Sequence, residues 1–120
     1  MNILFAEDNP FLQELVTIWL TKRGHDVTVV QSGTELLKVL QNGPGKFDVI
    51  ITDNDMPGGP SGLEVLRQLR SDDRFKKVPI IVHSGDGAEL LKAEVEAHDA
   101  VFVSKLEDGS LLRALDDLST

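Results

Sequence analysis

The chain has 120 residues, no cysteine, and a formal charge of −8 from 20 acidic against 12 basic side chains. That length suits one domain, residues 1–120, large enough for a sheet covered by helices on both faces. The acidic balance argues against nucleic-acid phosphate as a partner, the missing thiols rule out disulfides and thiolate metal sites, and no apolar run reaches membrane-spanning length. Met1 opens directly onto a strand pattern rather than a signal peptide, so the default expectation is a soluble cytoplasmic protein without membrane contact.

The first apolar run, Asn2-Ile3-Leu4-Phe5-Ala6, ends on Glu7-Asp8-Asn9-Pro10. This reads as a buried strand followed by a helix, with Asn9 as N-cap and Pro10 at the first helical position. The helix runs to about Arg23 and stops at Gly24. At 100° per residue Phe11, Leu12, Leu15, Val16, Ile18, Trp19 and Leu20 fill a broad arc, wider than one sheet contact needs. Most of the arc is expected in the core, Trp19 included, with its margin available to a partner.

Asp26 to Val30 reads as a second strand, and Ser32-Gly33-Thr34 leads into a helix with Leu36, Leu37, Val39 and Leu40 on one stripe. Asn42-Gly43-Pro44-Gly45 is a turn; Lys46 is followed by Phe47 rather than the hydroxyl residue of a phosphate-binding loop. The central run, Asp48-Val49-Ile50-Ile51-Thr52-Asp53, is a strand buried on both faces that stops on a carboxylate. Met56-Pro57-Gly58-Gly59-Pro60 then forces a turn. Ser61 begins a third helix with Leu63, Leu66 and Leu69 inward, and Ser71-Asp72-Asp73-Arg74 is a solvated loop.

Pro79 to Ser84 makes a fourth strand. The helix after it, from about Ala88 to Ala97, is poorly patterned, with Leu91 and Val95 on one side and Leu90, Ala93 and Ala97 on another. Ala100 to Lys105 makes a fifth strand, and a last helix from about Asp108 or Gly109 carries Leu111, Leu115 and Leu118. Five strands alternating with five helices predict an α/β fold: a parallel, doubly wound sheet with helices on both faces. Five strands favour the flavodoxin-like order 2-1-3-4-5.

In that order Glu7-Asp8, Asp53, Ser84 and Lys105 end neighbouring strands and converge on one crevice. Three carboxylates against one lysine need a further cation, and an all-oxygen donor set completed by water suits Mg²⁺. Such a site fits phosphoryl transfer, which asks for positioning and charge neutralisation, with Asp53 as nucleophile and Lys105 and the Ser84 hydroxyl on the phosphoryl oxygens. His83 and Ser84 cannot pair as base and nucleophile, because adjacent strand residues face opposite sides; His83 is expected to be packed or at an edge. His25, beside Gly24, is a turn residue.

These residues identify a family resemblance over essentially the whole chain. The acidic pair Glu7-Asp8, the Asp53-x-x-Met56-Pro57 signature, Ser84-Gly85 and Lys105 make it similar to a response-regulator receiver domain of two-component systems, of the stand-alone kind related to chemotaxis regulators. The resemblance implies that Asp53 accepts phosphate from a histidine kinase or a histidine phosphotransfer protein. It also implies Mg²⁺ bound by Asp8, Asp53 and the main-chain carbonyl of Asp55, with Glu7 assisting through water. Ser84 and Phe102 would form a switch pair acting on a surface of the fourth helix, fifth strand and fifth helix, whose output is binding of a downstream protein target. The implied role is a self-phosphorylating and autodephosphorylating switch, not a turnover enzyme. Asp55 and Asp86, each two residues beyond a site residue, would tune the phosphoryl lifetime.

The sequence departs from the family pattern in three places. Leu106 follows Lys105 in place of proline, one extra residue lies between Pro57 and Gly62, and His98 stands where glycine ends the fourth helix and is expected to carry the positive φ. Two other functions compete: a receiver-like docking module that works without phosphate, and a metal-dependent phosphatase of the haloacid-dehalogenase type, whose nucleophile strand also reads apolar-then-Asp-x-Asp. The chain stops after the fifth helix, so output is expected to pass through an external partner or through onward phosphotransfer, with the first helix as the candidate kinase-docking element.

Overall fold

The computed structural model describes residues 1–85, 89–105 and 109–118. Five strands, β1 (Asn2–Ala6), β2 (Asp26–Val30), β3 (Val49–Asp53), β4 (Ile80–Ser84) and β5 (Val101–Ser104), form one parallel sheet in the order β2-β1-β3-β4-β5. The helices are α1 (Pro10–Lys22), α2 (Gly33–Asn42), α3 (Gly62–Arg70), α4 (Glu89–Ala97) and α5 (Ser110–Leu118), with a short 3₁₀ turn at Asp73–Phe75 that begins in the expected loop and runs one residue past it. The predicted fold class and strand order are therefore those observed.

Strand alternation sorts the core into two layers. Ile3, Phe5, Val49, Ile51, Ile81 and Val103 meet Val16 and Leu20 of α1 and Leu111 and Leu115 of α5. On the other face Leu4, Ala6, Ile50 and Val82 meet Leu36 and Leu40 of α2, Leu66 of α3 and Val95 of α4. All five residues of β3 and all five of β4 are buried, as strands inside a doubly wound sheet require.

Local chemistry starts and stops the helices where their side chains allow. The Asn9 carboxamide oxygen accepts from the amides of Phe11 and Leu12, and Pro10 occupies the first helical position. Ser61 and Glu64 form a reciprocal capping box at the start of α3.

Two expectations are corrected and one is extended. In α1 only Val16 and Leu20 are fully buried, Leu12 and Leu15 are half-buried, and Trp19 is 40 % exposed and Phe11 71 %, so less of the wide apolar arc is core than its pattern predicts. In α3 the inward face also takes in Gly62 and Val65, with Leu63 half-buried against the core beside the buried Leu66 and Leu69. The positive φ at the end of α4 belongs to Asp99, at 56°, and not to His98. There the Ala100 amide donates to the Val95 carbonyl and the Asp99 amide to that of Glu96, a Schellman closure with Asp99 in the left-handed position.

Candidate active site

The carboxyl edge of the sheet gathers the charged residues. Glu7 and Asp8 directly follow β1, Asp53 is the last residue of β3, Ser84 the last of β4, and Lys105 directly follows β5. β1 and β3 are neighbours in register, Ala6 opposite Thr52, so their terminal acids meet. One ligand oxygen from each of Glu7, Asp8 and Asp53 lies within 4.8 Å of the others. Glu7 and Asp53 are buried while Asp8 is exposed, which leaves the cluster open on one side.

Lys105 is the cation within reach. Its Nζ donates to Glu7 Oε1 at 2.7 Å and stands 3.2 Å from Asp53 Oδ2. Burial raises the Glu7 carboxyl above its ordinary value; the Lys105 hydrogen bond opposes that shift and the charge of Asp53 adds to it. Burial alone would lower Lys105, but Glu7 and Asp53 together hold it above its ordinary value. Among the described residues, Glu7 and Asp53 share this one ammonium while Asp8 stands in the same cluster, and the excess negative charge is what a hard divalent cation neutralises. The residues fit Mg²⁺: the donors are all oxygen, and the exposed side leaves room for water ligands.

The lip of the site is the turn after β3. The Asp55 amide donates to Asp53 Oδ1 at 3.3 Å, and Asn54 Oδ1 accepts from the Leu63 amide at 3.1 Å, tying the turn to the start of α3. Asp55 is exposed and Met56 is buried beneath it. Asp53, Glu7, Asp8, Lys105, Ser84 and the Asp55 backbone are thus brought to one edge of the sheet. Asp86 and the Lys105–Leu106 junction lie outside the described residues.

The two members of the expected switch pair share the other face of the sheet. Ser84 is fully buried, and Phe102 is half-buried against the layer that holds Val82 and Val95. Phe102 pairs with Val82 in register, and Ser84 with Ser104.

His83 is packed, as expected, but its neighbourhood was not read from the sequence. It is the register partner of Asp53, and with Trp19, Lys105 and Leu111 it lines a cavity of about 90 Å³. Its Nδ1 is buried with no hydrogen-bond partner. Burial, with the charge of Lys105 second, lowers the imidazole to about 4, so it is neutral at physiological pH.

Comparison with known proteins covers nearly the whole chain. The family model for the response regulator receiver domain matches residues 3–115. The chemotaxis protein CheY1 of Helicobacter pylori is 35 % identical over 96 residues, 79 % of this chain and 73 % of that protein. Response regulator RR06 of Streptococcus pneumoniae is 33 % identical, and this chain spans 41 % of its length; against the sensor kinase/phosphatase CqsS of Vibrio cholerae the figures are 32 % and 14 %. Among solved structures, the chemotaxis response regulator CheY4 of Vibrio cholerae superposes with a TM-score of 0.85 at 27 % identity, covering 98 % of this chain and 97 % of that one. The response regulator TrrA of Thermotoga maritima, in complex with Mg²⁺ and BeF, superposes with a TM-score of 0.82 at 29 % identity, with the same two coverages. The haloacid-dehalogenase alternative finds no support in these relatives.

Proposed function

The chain belongs to the response regulator receiver domain family, and from that premise we propose that residues 1–120 form a single receiver domain in which Asp53 is the phosphoacceptor. Receiver domains are switches rather than turnover enzymes, and phosphoryl acceptance here is Mg²⁺-dependent. The observation that carries the assignment is the meeting of Glu7, Asp8 and Asp53 within 4.8 Å, with Lys105 Nζ 3.2 Å from Asp53.

In this reading a carboxylate oxygen of Asp53 attacks the phosphorus of a phosphohistidine donor, the bond from phosphorus to the donor nitrogen breaks, and an acyl phosphate forms. The transition state is loose, so the protein's task is alignment and charge stabilisation. Lys105 turns from Glu7 towards a phosphoryl oxygen, and the Ser84 hydroxyl takes another. Asp8, Asp53 and the main-chain carbonyl of Asp55 would hold the cation, with Glu7 assisting through water. Bound Mg²⁺ supplies neutralisation of the charge on the phosphoryl oxygens. Phe102, half-buried on the same face as Ser84, swings inward into the space that Ser84 releases, and the surface of α4, β5 and α5 changes with the pair. Asp55, and Asp86 beyond the described residues, tune the decay of the acyl phosphate, which the domain hydrolyses by itself.

The partners are a histidine kinase or histidine phosphotransfer protein and a downstream protein target. Among the described residues no helix is long and apolar enough to cross a membrane; a cytoplasmic site of action follows from a partnership with such donors. The test is intact-mass measurement after incubation with acetyl phosphate. One phosphoryl group is expected with Mg²⁺ and none with EDTA or in Asp53→Asn; labelling that survives both overturns the assignment.

A further inference from the structure

We propose that Gly33, in the first turn of α2 and remote in sequence from every acid of the site, is a positioning residue for the divalent cation. It acts by propping the lip that carries the Asp55 carbonyl. This inference rests on the assignment of that carbonyl as a metal ligand.

The lip, residues 54–60, is held at both ends by backbone packed against glycine. At its far end, a methyl group on Gly33 would stand 2.7 Å from the Pro60 carbonyl oxygen and 2.9 Å from the Pro60 ring and from Val65. At its near end, a methyl on Gly62 would stand 2.6 Å from the Asp53 carbonyl oxygen and 2.9 Å from the Asn54 α-carbon. Gly62 also donates its amide to the Asn54 carbonyl at 3.1 Å. Both ends are in close backbone contact, so displacement of Pro60 is passed along the residues between, where Asp55 lies. Val65 cannot relieve the crowding, being fully buried in the core of α3. The inserted residue that sets this turn apart from the family pattern is in the same stretch: Gly59 approaches Thr34 of α2, where a methyl group would lie 3.0 Å from Thr34 Oγ1. The longer turn thus leans on α2. A metal-binding backbone carbonyl depends on such outer supports, whose loss typically weakens metal affinity by about ten- to a hundredfold.

The test is calorimetric titration of the full chain with MgCl₂, alongside the thermal midpoint without metal. Gly33→Ala is expected to weaken Mg²⁺ binding on the order of tenfold. Pro60→Gly, which leaves the core untouched and slackens the lip, is expected to weaken it as well, and carries the test if Gly33→Ala does not fold. Leu118→Ala, which loosens α5 far from the lip, is expected to lower the thermal midpoint and keep the wild-type affinity. Wild-type affinity in Gly33→Ala or Pro60→Gly overturns the proposal, and so does an equal loss in Leu118→Ala. Absence of Mg²⁺ binding in the wild type, or an Asp8→Asn variant that binds as well as wild type, overturns the metal-site assignment itself and the proposal with it.

Discussion

His83 keeps its imidazole neutral in a place where a proton would be a second buried cation beside Lys105. Its depressed value means the folded state gives up this proton before the unfolded chain does. The contribution to stability is therefore complete above pH 6.5 and is lost as pH falls towards about 4. Two and a half units correspond to a ceiling of about 3 kcal/mol. His83→Leu, which also removes the unpartnered Nδ1, is expected to flatten the fall in urea midpoint between pH 6.5 and 4 in EDTA; an unchanged slope would assign the acid limb to other groups. Glu7 titrates in the opposite sense. Its value is raised by burial, so its contribution is greatest below 4.5 and declines as pH rises through the elevated value. Lys105 offsets that decline at neutral pH. Lys105→Met is expected to lose up to about 3 kcal/mol, as when one partner of a buried pair is removed. Mg²⁺ supplies the missing charge, so it should raise the thermal midpoint of this variant more than that of wild type. Equal shifts would show that Lys105 and the metal do not share the acids.

At the scale of elements, α1 and α4 show what periodicity leaves open. The apolar arc of α1 is legible in the sequence, but the fraction of it that touches the sheet is not: a helix lying on one face buries a stripe centred on Val16 and Leu20, and nothing in the pattern separates covered positions from those kept for a partner. The exposed Phe11 supports α1 as the donor-docking element. Phe11→Glu is expected to slow transfer from a phosphohistidine protein at least tenfold, about 1.4 kcal/mol, with labelling by acetyl phosphate unchanged; slowing of both, or of neither, speaks against docking there. In α3 the pattern shows Leu63, Leu66 and Leu69 inward but not Gly62, an inward position that carries no hydrophobic signal and marks a close backbone approach. The left-handed residue of α4 fell one position late, at Asp99, for a related reason: the Schellman geometry counts from the last helical residue, and sequence alone did not fix that boundary. The weak pattern of α4 is matched by its attachment. Its first turn carries Leu90 at 82 % exposure, whereas its C-terminal end is clamped by Arg70 of α3. The Arg70 guanidinium donates to the carbonyls of His98 and Asp99, and to those of Phe75 and Val78 ahead of β4, all at 2.8 to 2.9 Å. Arg70→Ala is expected to cost roughly 2–4 kcal/mol in denaturant unfolding, while the exposed Arg67–Glu94 pair contributes about 1 kcal/mol or less. Similar small costs for both would leave the end of α4 without its anchor.

For the molecule as a whole, parallel topology turns scattered acids into a site. Glu7 and Asp53 are far apart in the chain, yet register places β1 beside β3 and both strands end at the same edge. The strand endings were readable because buried apolar runs stop abruptly on charge, and the order 2-1-3-4-5 then fixes which endings are neighbours. The place of His83 and the propping of the lip by α2 were not readable, since each depends on registers and close approaches that side-chain type does not encode. The central claim, that this convergence makes Asp53 the phosphoacceptor, is most directly tested by treating the protein with acetyl phosphate and Mg²⁺ and reducing it with borohydride, which converts an aspartyl phosphate to homoserine. A peptide map should then show homoserine at position 53 and at no other aspartate. Homoserine elsewhere, or an unmodified Asp53 in protein that has gained a phosphoryl group, would contradict it.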